Sequence, residues 1–323
     1  MPHSREVSVI IAARNARATI GHAVSSALGQ AEVAEVIVID DASSDGTMAA
    51  ACESAAGDPR LDVIRTECNI GPAAARNLAI NRGSAPYIAL LDADDRYLQG
   101  RLRHLLAFPN WDMVADDIAF FSGPVPTLPG GTDRTEMLDL VRFVEGNYTG
   151  RRGNRGELGF LKPVIRRDFL EHHSLAYDES IRLGEDYDLY VRCLQKGARF
   201  LLSHRVGYLA EVRDASLSSR HATSDLAALL SAADRHIAAE TDAGAVQVMR
   251  RHRRQLRNRL LLREFLDRKA TDGIGAAIAF ALNPPSQFAP IAGGILSDKL
   301  KWRARHTGAV RTTLLSVSDA ARP

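Results

Sequence analysis

Asp92, Asp94 and Asp95 follow directly on an apolar run, Tyr87–Leu91, so the stretch PYIALLDADD turns from hydrophobic to acidic within one residue. A short continuous apolar run ended by polar residues reads as a strand buried on both faces. Open α/β sheets bind their ligands beyond the carboxyl ends of such strands, which is where these carboxylates fall. Asp92 and Asp94 are two residues apart, and in extended backbone both project to one side. Two hard oxygen ligands with room for water and phosphate suit Mg2+ or Mn2+ rather than zinc. A diphosphate would share the ion. A lone D-x-D arises freely and more often caps a helix or lies in solvent, so its company decides.

That company is three further strand ends. The first strand runs into Ala12-Ala13-Arg14-Asn15, the second into Asp40-Asp41-Ala42-Ser43-Ser44-Asp45-Gly46, and the third into Asn69-Ile70-Gly71-Pro72 with Arg76 and Asn77 beyond. In a parallel sheet these ends share a rim and can line one pocket with Asp92-Ala93-Asp94. Asp41 can accept the imide N–H of a pyrimidine or a ribose hydroxyl, and Arg76 supplies charge for a diphosphate. The set describes a nucleoside-diphosphate compound whose leaving group is the nucleoside diphosphate. Singly, each residue has a plainer use: Asp40 and Asp41 as helix caps, Asp45 as a cap only, and Arg76 on a helix surface.

The elements that would carry these ends alternate. Strands are expected at Val7–Ala12, Glu35–Asp40, Leu61–Arg65 and Tyr87–Leu91. Helices are expected from about Ala16 to Leu28, Asp45 to Ala56, Gly71 to Asn81 and Gln99 to Ala107. This alternation implies an α/β fold, a three-layer α/β/α domain on a mostly parallel sheet. Beyond Asp112 the pattern weakens: strands at Met113–Phe121, Gly159–Ile165 and Arg199–Ser203, a Pro/Gly-rich loop over 122–131, and helices at Arg167–His172 and Glu185–Lys196. The domain is expected to span 1–220, followed by a helical region over 221–323.

At 323 residues the chain has room for one large domain and an appendage. With 41 Lys and Arg against 39 Asp and Glu the net charge is +2, which argues for no nucleic-acid partner. Cys52, Cys68 and Cys193 lack metal-ligand spacing and suit a reducing compartment. Val7–Ala13 has no basic run before it and meets Arg14 too soon for a signal peptide, so a cytoplasmic location is expected.

In the helical region, residues 250–269 form a basic helix, and 273–297 hold no charged group. Asn283-Pro284-Pro285-Ser286-Gln287 splits that apolar run into halves too short to cross a bilayer, which takes about twenty residues. Two readings stand: helices lying on the anionic cytoplasmic face of an inner membrane, and a helical bundle packed on the catalytic domain.

Five segments in order, VSVIIAARN, EVIVIDDASSDGT, NIGPAAARN, YIALLDADD and GEDYDLYVRCLQKGARF, resemble the family 2 glycosyltransferases over roughly residues 6–215. These are inverting enzymes of the GT-A fold that use nucleotide sugars and a divalent cation. The later segments are similar to bacterial exopolysaccharide glucosyltransferases of the succinoglycan type. The resemblance implies that Asp41 recognises the base, that Asp92 and Asp94 form the metal motif with Asp94 nearest the cation, and that Asp186 is the general base with Glu185 beside it. Where relatives usually stack an aromatic on the base this chain has Arg14, whose guanidinium can also stack. A metal-site histidine found in some relatives has no clear counterpart among Arg213, Ser216, Ser218 and His221.

The implied reaction is a single in-line displacement by an acceptor hydroxyl, turning an α-linked donor, UDP-glucose by this resemblance, into a β-glycoside. The acceptor is a glycan, expected to be a polyprenyl-diphosphate-linked oligosaccharide if the C-terminal helices meet a membrane. Gly156–Ile165, Phe160 and Tyr187 are candidates on the acceptor side. Nucleotidyl transfer competes less well, because AARNARATIG after the first strand has no close glycines to receive a triphosphate. The same loop lacks the GxGxxG of dinucleotide enzymes. A catalytically silent nucleotide-sugar-binding subunit is compatible with the same residues.

Overall fold

The computed structural model describes residues 6–123, 134–148, 157–212, 222–305 and 313–315, with 297–305 as backbone alone. Its elements are β1 (Val7–Ala13), α1 (Ile20–Leu28), β2 (Val33–Asp40), α2 (Thr47–Ala55), β3 (Leu61–Arg65), α3 (Pro72–Arg82), β4 (Tyr87–Leu90), β5 (Arg96–Tyr97) and α4 (Arg101–Leu106). Then come β6 (Met113–Phe121), β7 (Thr135–Leu138), α5 (Leu140–Glu145), β8 (Val164–Arg166), α6 (Arg167–His172), α7 (Glu185–Gln195) and β9 (Phe200–Glu211). Helices α8 (Thr223–Ala239), α9 (Ala243–Thr271), α10 (Gly273–Leu282) and α11 (Phe288–Arg305) follow.

The described residues form two compact units. One is drawn from Met1–Phe143, Leu158–Asp214 and Arg311–Pro323, the other from Val144–Glu157 and Ala215–Val310.

In the first unit the strands form one sheet in the order β3-β2-β1-β4-β8-β6-β9-β5, with β7 also on β9. The strands β3, β2, β1 and β4 are parallel. The Val, Ile and Leu of β1, β2 and β4 are buried, as strands covered on both faces require, while β3 at the sheet edge is half-buried. β8 enters antiparallel between β4 and β6, and β9 runs parallel to β6 but antiparallel to β5 and β7. The sheet is thus parallel in its first half and mixed in its second. The chain leaves β1 toward β2 on one side, while β4 leads to the strands on the other, which opens a crevice between the ends of β1 and β4.

Three local expectations need correction. The strand expected over Gly159–Ile165 is a 3-10 turn at Leu158–Phe160 and a strand only from Val164, because Pro163 lacks an N–H and restricts the residue before it. The strand expected to stop at Ser203 continues to Glu211. The first helix starts at Ile20, after a turn over Ala16–Thr19 in which Thr19 N donates to Ala16 O. The 122–131 loop beyond Gly123 lies outside the described residues, as do Arg213, Ser216, Ser218 and His221.

In the second unit, Phe265, Ala277, Ala281 and Ile291 bring α9, α10 and α11 together. Tyr148 donates its hydroxyl to Val248 O and stacks on His252 with ring centroids 6.4 Å apart. Among the described residues no helix is long and apolar enough to cross a membrane.

Candidate active site

The four strand-end loops are laced together by side chains. Asn15 adopts a left-handed backbone, φ +49°, which asparagine tolerates better than most residues. Its N–H donates to Ser43 Oγ and its Oδ1 accepts from Ser44 N, joining the β1 and β2 loops. Asp40 accepts from Ser43 N within the second loop. Asp41 reaches on to the third: its Oδ1 accepts from Ile70 N at 2.7 Å and Thr66 Oγ1 at 3.3 Å, its Oδ2 from Gly71 N at 3.0 Å. A carboxylate offers about four acceptor sites, so Asp41, though buried, keeps one for an incoming donor. Asn69 is exposed and accepts from the same Gly71 N–H. Arg14 is exposed, Ala12 half-buried and Ala93 buried. Asp45 serves its turn, accepting from the N–H and hydroxyl of Thr47 as α2 begins. A hollow of about 450 Å³ opens beside these loops, lined by Asn15–Ala18 and Asp45.

The expectation that Asp92 and Asp94 share a side in extended backbone is overturned. β4 ends at Leu90, and Asp92–Asp95 form a turn in which Asp95 N donates to Asp92 O at 3.1 Å. Asp92 also carries two cations on its carboxylate. Its Oδ1 accepts from Arg76 Nη2 at 2.9 Å, and its Oδ2 lies 2.8 Å from Lys162 Nζ. Against the burial that would raise it, Lys162 and Arg76 hold its carboxyl down to about 2. Asp94 is half-buried beside it. Asp95 is buried, bonded to the Tyr208 hydroxyl and Glu211 N, and pushed well up by burial and by the charges of Asp92 and Asp94.

The carboxylates of α7 meet the same two cations. Gly184, at φ +77°, lets the chain turn into the helix, and Glu185 and Asp186 fall in its first turn. Arg76 Nη1 donates to Glu185 at 2.5 Å and stands 3.8 Å from Asp186. Lys162 Nζ is 2.6 Å from Asp186 Oδ2, and the Tyr177 hydroxyl donates to Asp186 Oδ1 at 3.0 Å. Burial pushes Glu185 up, with Arg76 opposing. Burial would lower Lys162, but Asp186 and Asp92 outweigh it and the ammonium stays charged. Burial also raises Tyr177, which remains a phenol and a donor.

Asp92, Arg76, Glu185 and Asp186 therefore come together as the sequence expects, while Asp41 sits in the adjoining loop set through Gly71 at the start of α3. Lys162 and Tyr177 are additions. Lys162 had a signal: it is the one charge in the apolar run Leu158–Ile165, and a lysine so placed needs a buried counter-charge. Tyr177 had none. Tyr187, a candidate for stacking on sugar, is instead core, stacked on Phe143 with centroids 5.7 Å apart. Among the described residues no group of three or more His, Cys, Asp or Glu is arranged to hold a metal. A half-buried carboxylate such as Asp94 fits a cation of the Mg2+ type, which takes one or two carboxylates and fills its shell with water and substrate phosphate.

Residues 8–155 match the glycosyl transferase family 2 pattern. The succinoglycan biosynthesis protein ExoU of Rhizobium meliloti is 48% identical over 310 residues, covering 94% of this chain and 90% of that protein. The chain belongs to glycosyl transferase family 2. It is also 35% identical over 190 residues, 58% of its length and 70% of the relative's, to the Escherichia coli UDP-Glc:alpha-D-GlcNAc-diphosphoundecaprenol beta-1,3-glucosyltransferase WfgD. The fold is shared with mannosyltransferase PcManGT from Pyrobaculum calidifontis, solved in complex with GDP-Man and Mn2+. That likeness has a TM-score of 0.54 at 17% identity and covers 90% of this chain and 79% of the other. The expected glycosyltransferase fold and family are thus both found.

Proposed function

We propose that this glycosyltransferase transfers glucose from UDP-glucose, with inversion, to a polyprenyl-diphosphate-linked glycan in exopolysaccharide biosynthesis. The observation that carries the reading is that Asp186, in the first turn of α7, and Asp92, at the end of β4, are bridged by one ammonium and one guanidinium. A carboxylate on the acceptor side is thereby fixed against the strand end where a sugar nucleotide binds. The names of the 48% identical relative and of the glucosyltransferase relative support the pathway, donor and acceptor.

The acceptor hydroxyl attacks the anomeric carbon on the face opposite the nucleoside diphosphate, and Asp186 takes its proton. General-base help of this kind typically contributes about 10²–10⁴-fold. Arg76 offers charge to the departing diphosphate, and the Asp41, Asn15, Arg14 and Asn69 loops receive the nucleoside. A Mg2+ or Mn2+ ion, held through Asp94 and the diphosphate, would act as a Lewis acid on the leaving group. The test is UDP release from UDP-glucose with Mn2+ and a polyprenyl-diphosphate-linked sugar. Release that depends on the acceptor and yields a β-linked product supports the reading, and none with any such acceptor refutes it.

The helical unit supports a membrane surface as partner, and with it a peripheral place on the cytoplasmic face. On α10 the alanines Ala277 and Ala281 face the core, while Ile274, Ile278 and Leu282, four residues apart on one face, are 54%, 48% and 52% exposed. A helix that hides its small residues and shows its large ones is built for an apolar exterior. Phe288 and Leu296 of α11 are exposed as well, and Arg268 and Lys269 in the last turn of α9 add positive charge. Full-length protein should float with phosphatidylglycerol vesicles and lose that on I274S/I278S/L282S. Equal flotation of the variant would contradict the assignment.

A further inference from the structure

Lys162 is placed by a buried scaffold rather than by its own loop. Its carbonyl accepts from Arg101 Nη2 at 2.5 Å, and Pro163 fixes the backbone that follows. Arg101 is itself locked to Asp116 through Nε at 2.9 Å and Nη2 at 2.8 Å, and neither side chain is exposed beyond 1%. From that fixed point the ammonium reaches 2.6 Å to Asp186 and 2.8 Å to Asp92. Arg76 is not its equivalent. It donates from Nη1 to Glu185 and from Nη2 to Asp92, and comes no closer than 3.8 Å to Asp186.

We propose that Lys162 is a positioning residue for Asp186, holding the base carboxylate at a fixed angle to the sugar-nucleotide strand end. This rests on Asp186 being the general base. A carboxylate has about four acceptor sites. Lys162 takes one on Oδ2 and Tyr177 one on Oδ1, which leaves one on each oxygen for the acceptor hydroxyl. An ammonium has only donors, so it orients the base without competing for the proton. It also supplies the counter-charge that a carboxylate 7% exposed needs.

The experiment is kinetic, on the full-length protein with UDP-glucose, Mn2+ and a polyprenyl-diphosphate-linked sugar. Lys162→Met, Asp186→Asn and the double variant are compared, with UDP affinity by calorimetry showing that each variant is folded. Should the methionine variant not fold, Lys162→Gln, which keeps N–H donors, takes its place. Lys162→Met should lower kcat about 100-fold, the scale for a displaced reacting group, with KM for UDP-glucose and the UDP affinity retained. The double variant should be no slower than Asp186→Asn alone, since a residue acting through another adds nothing once that one is gone. Losses that multiply in the double variant, or a full kcat in Lys162→Met, would overturn the proposal and leave the base assignment standing. Near-normal turnover of Asp186→Asn would remove the base assignment itself, and this inference with it.

Discussion

Arg76 Nη1 lies 2.5 Å from Glu185 Oε1, a contact across 109 positions of sequence that pins the start of α7 to α3. The guanidinium also holds Asp92, so one side chain serves two elements at once. Its planar fork aims a separate nitrogen at each carboxylate, whereas an ammonium is a point charge on a flexible stem.

Arg76→Lys should therefore keep one of the two contacts and Arg76→Met neither. The methionine variant leaves Asp92 and Glu185 short of a cation and should lose about 3–5 kcal/mol of stability, the range for a broken buried pair. Denaturant unfolding beside UDP-glucose turnover checks this, with lysine intermediate in both. Equal stability of all three proteins would mean that the bridge carries no weight.

Gly207 is a steric requirement of the scaffold behind Lys162. A Cβ at that position would stand 1.8 Å from Asp116 Oδ2 and 2.9 Å from Arg101 Cγ. Gly207→Ala must push the Arg101–Asp116 pair aside and should destabilise by a few kcal/mol, about what disrupting a buried charge pair costs. Activity measured well below the melting temperature should fall too, because Arg101 holds the Lys162 carbonyl. A variant with normal stability and turnover would show that the pair yields easily.

Asp117 makes the sheet unit favour acid. Burial pushes its carboxyl up to about 6, against hydrogen bonds from Leu315 N, Thr313 and Ile118 N. In the unfolded chain the group titrates near 4. Between those values the folded state binds more protons, so this group's contribution falls as pH rises from about 4 to about 6. The loss is about 3 kcal/mol. Asp117→Asn keeps an acceptor oxygen and removes the charge. It should be more stable than the parent at pH 7, with the advantage gone below pH 4. An advantage that does not change with pH would contradict the shift.

The aspartates after β4 lie in a turn rather than in extended backbone. Mn2+ should tighten UDP binding in the parent protein, and Asp94→Asn should abolish that gain. Asp92→Asn should act mainly on stability, through Arg76 and Lys162. Calorimetry of UDP with and without Mn2+ reads this directly; a gain that survives in Asp94→Asn would remove Asp94 from the cation's shell.

The first, second and fourth strands were legible because parallel strands buried on both faces read as mainly apolar runs, as in VSVIIA and EVIVID. The second half of the sheet was not. β8 is three residues long behind Pro163, and nothing in so short a run tells its direction. Asp92 and Asp186 could be matched to family segments, but their partner Lys162 lies in a stretch with no motif. Its placement depends on the Arg101–Asp116 pair, contacts from residues far off in the sequence that no local pattern encodes.

The measurement that bears most directly on this account is acceptor-dependent UDP release from UDP-glucose by Asp186→Asn, taken with its affinity for UDP. The account predicts UDP affinity close to that of the parent protein and turnover lower by two orders of magnitude or more, as befits loss of a general base. Near-normal turnover with intact UDP binding would contradict it.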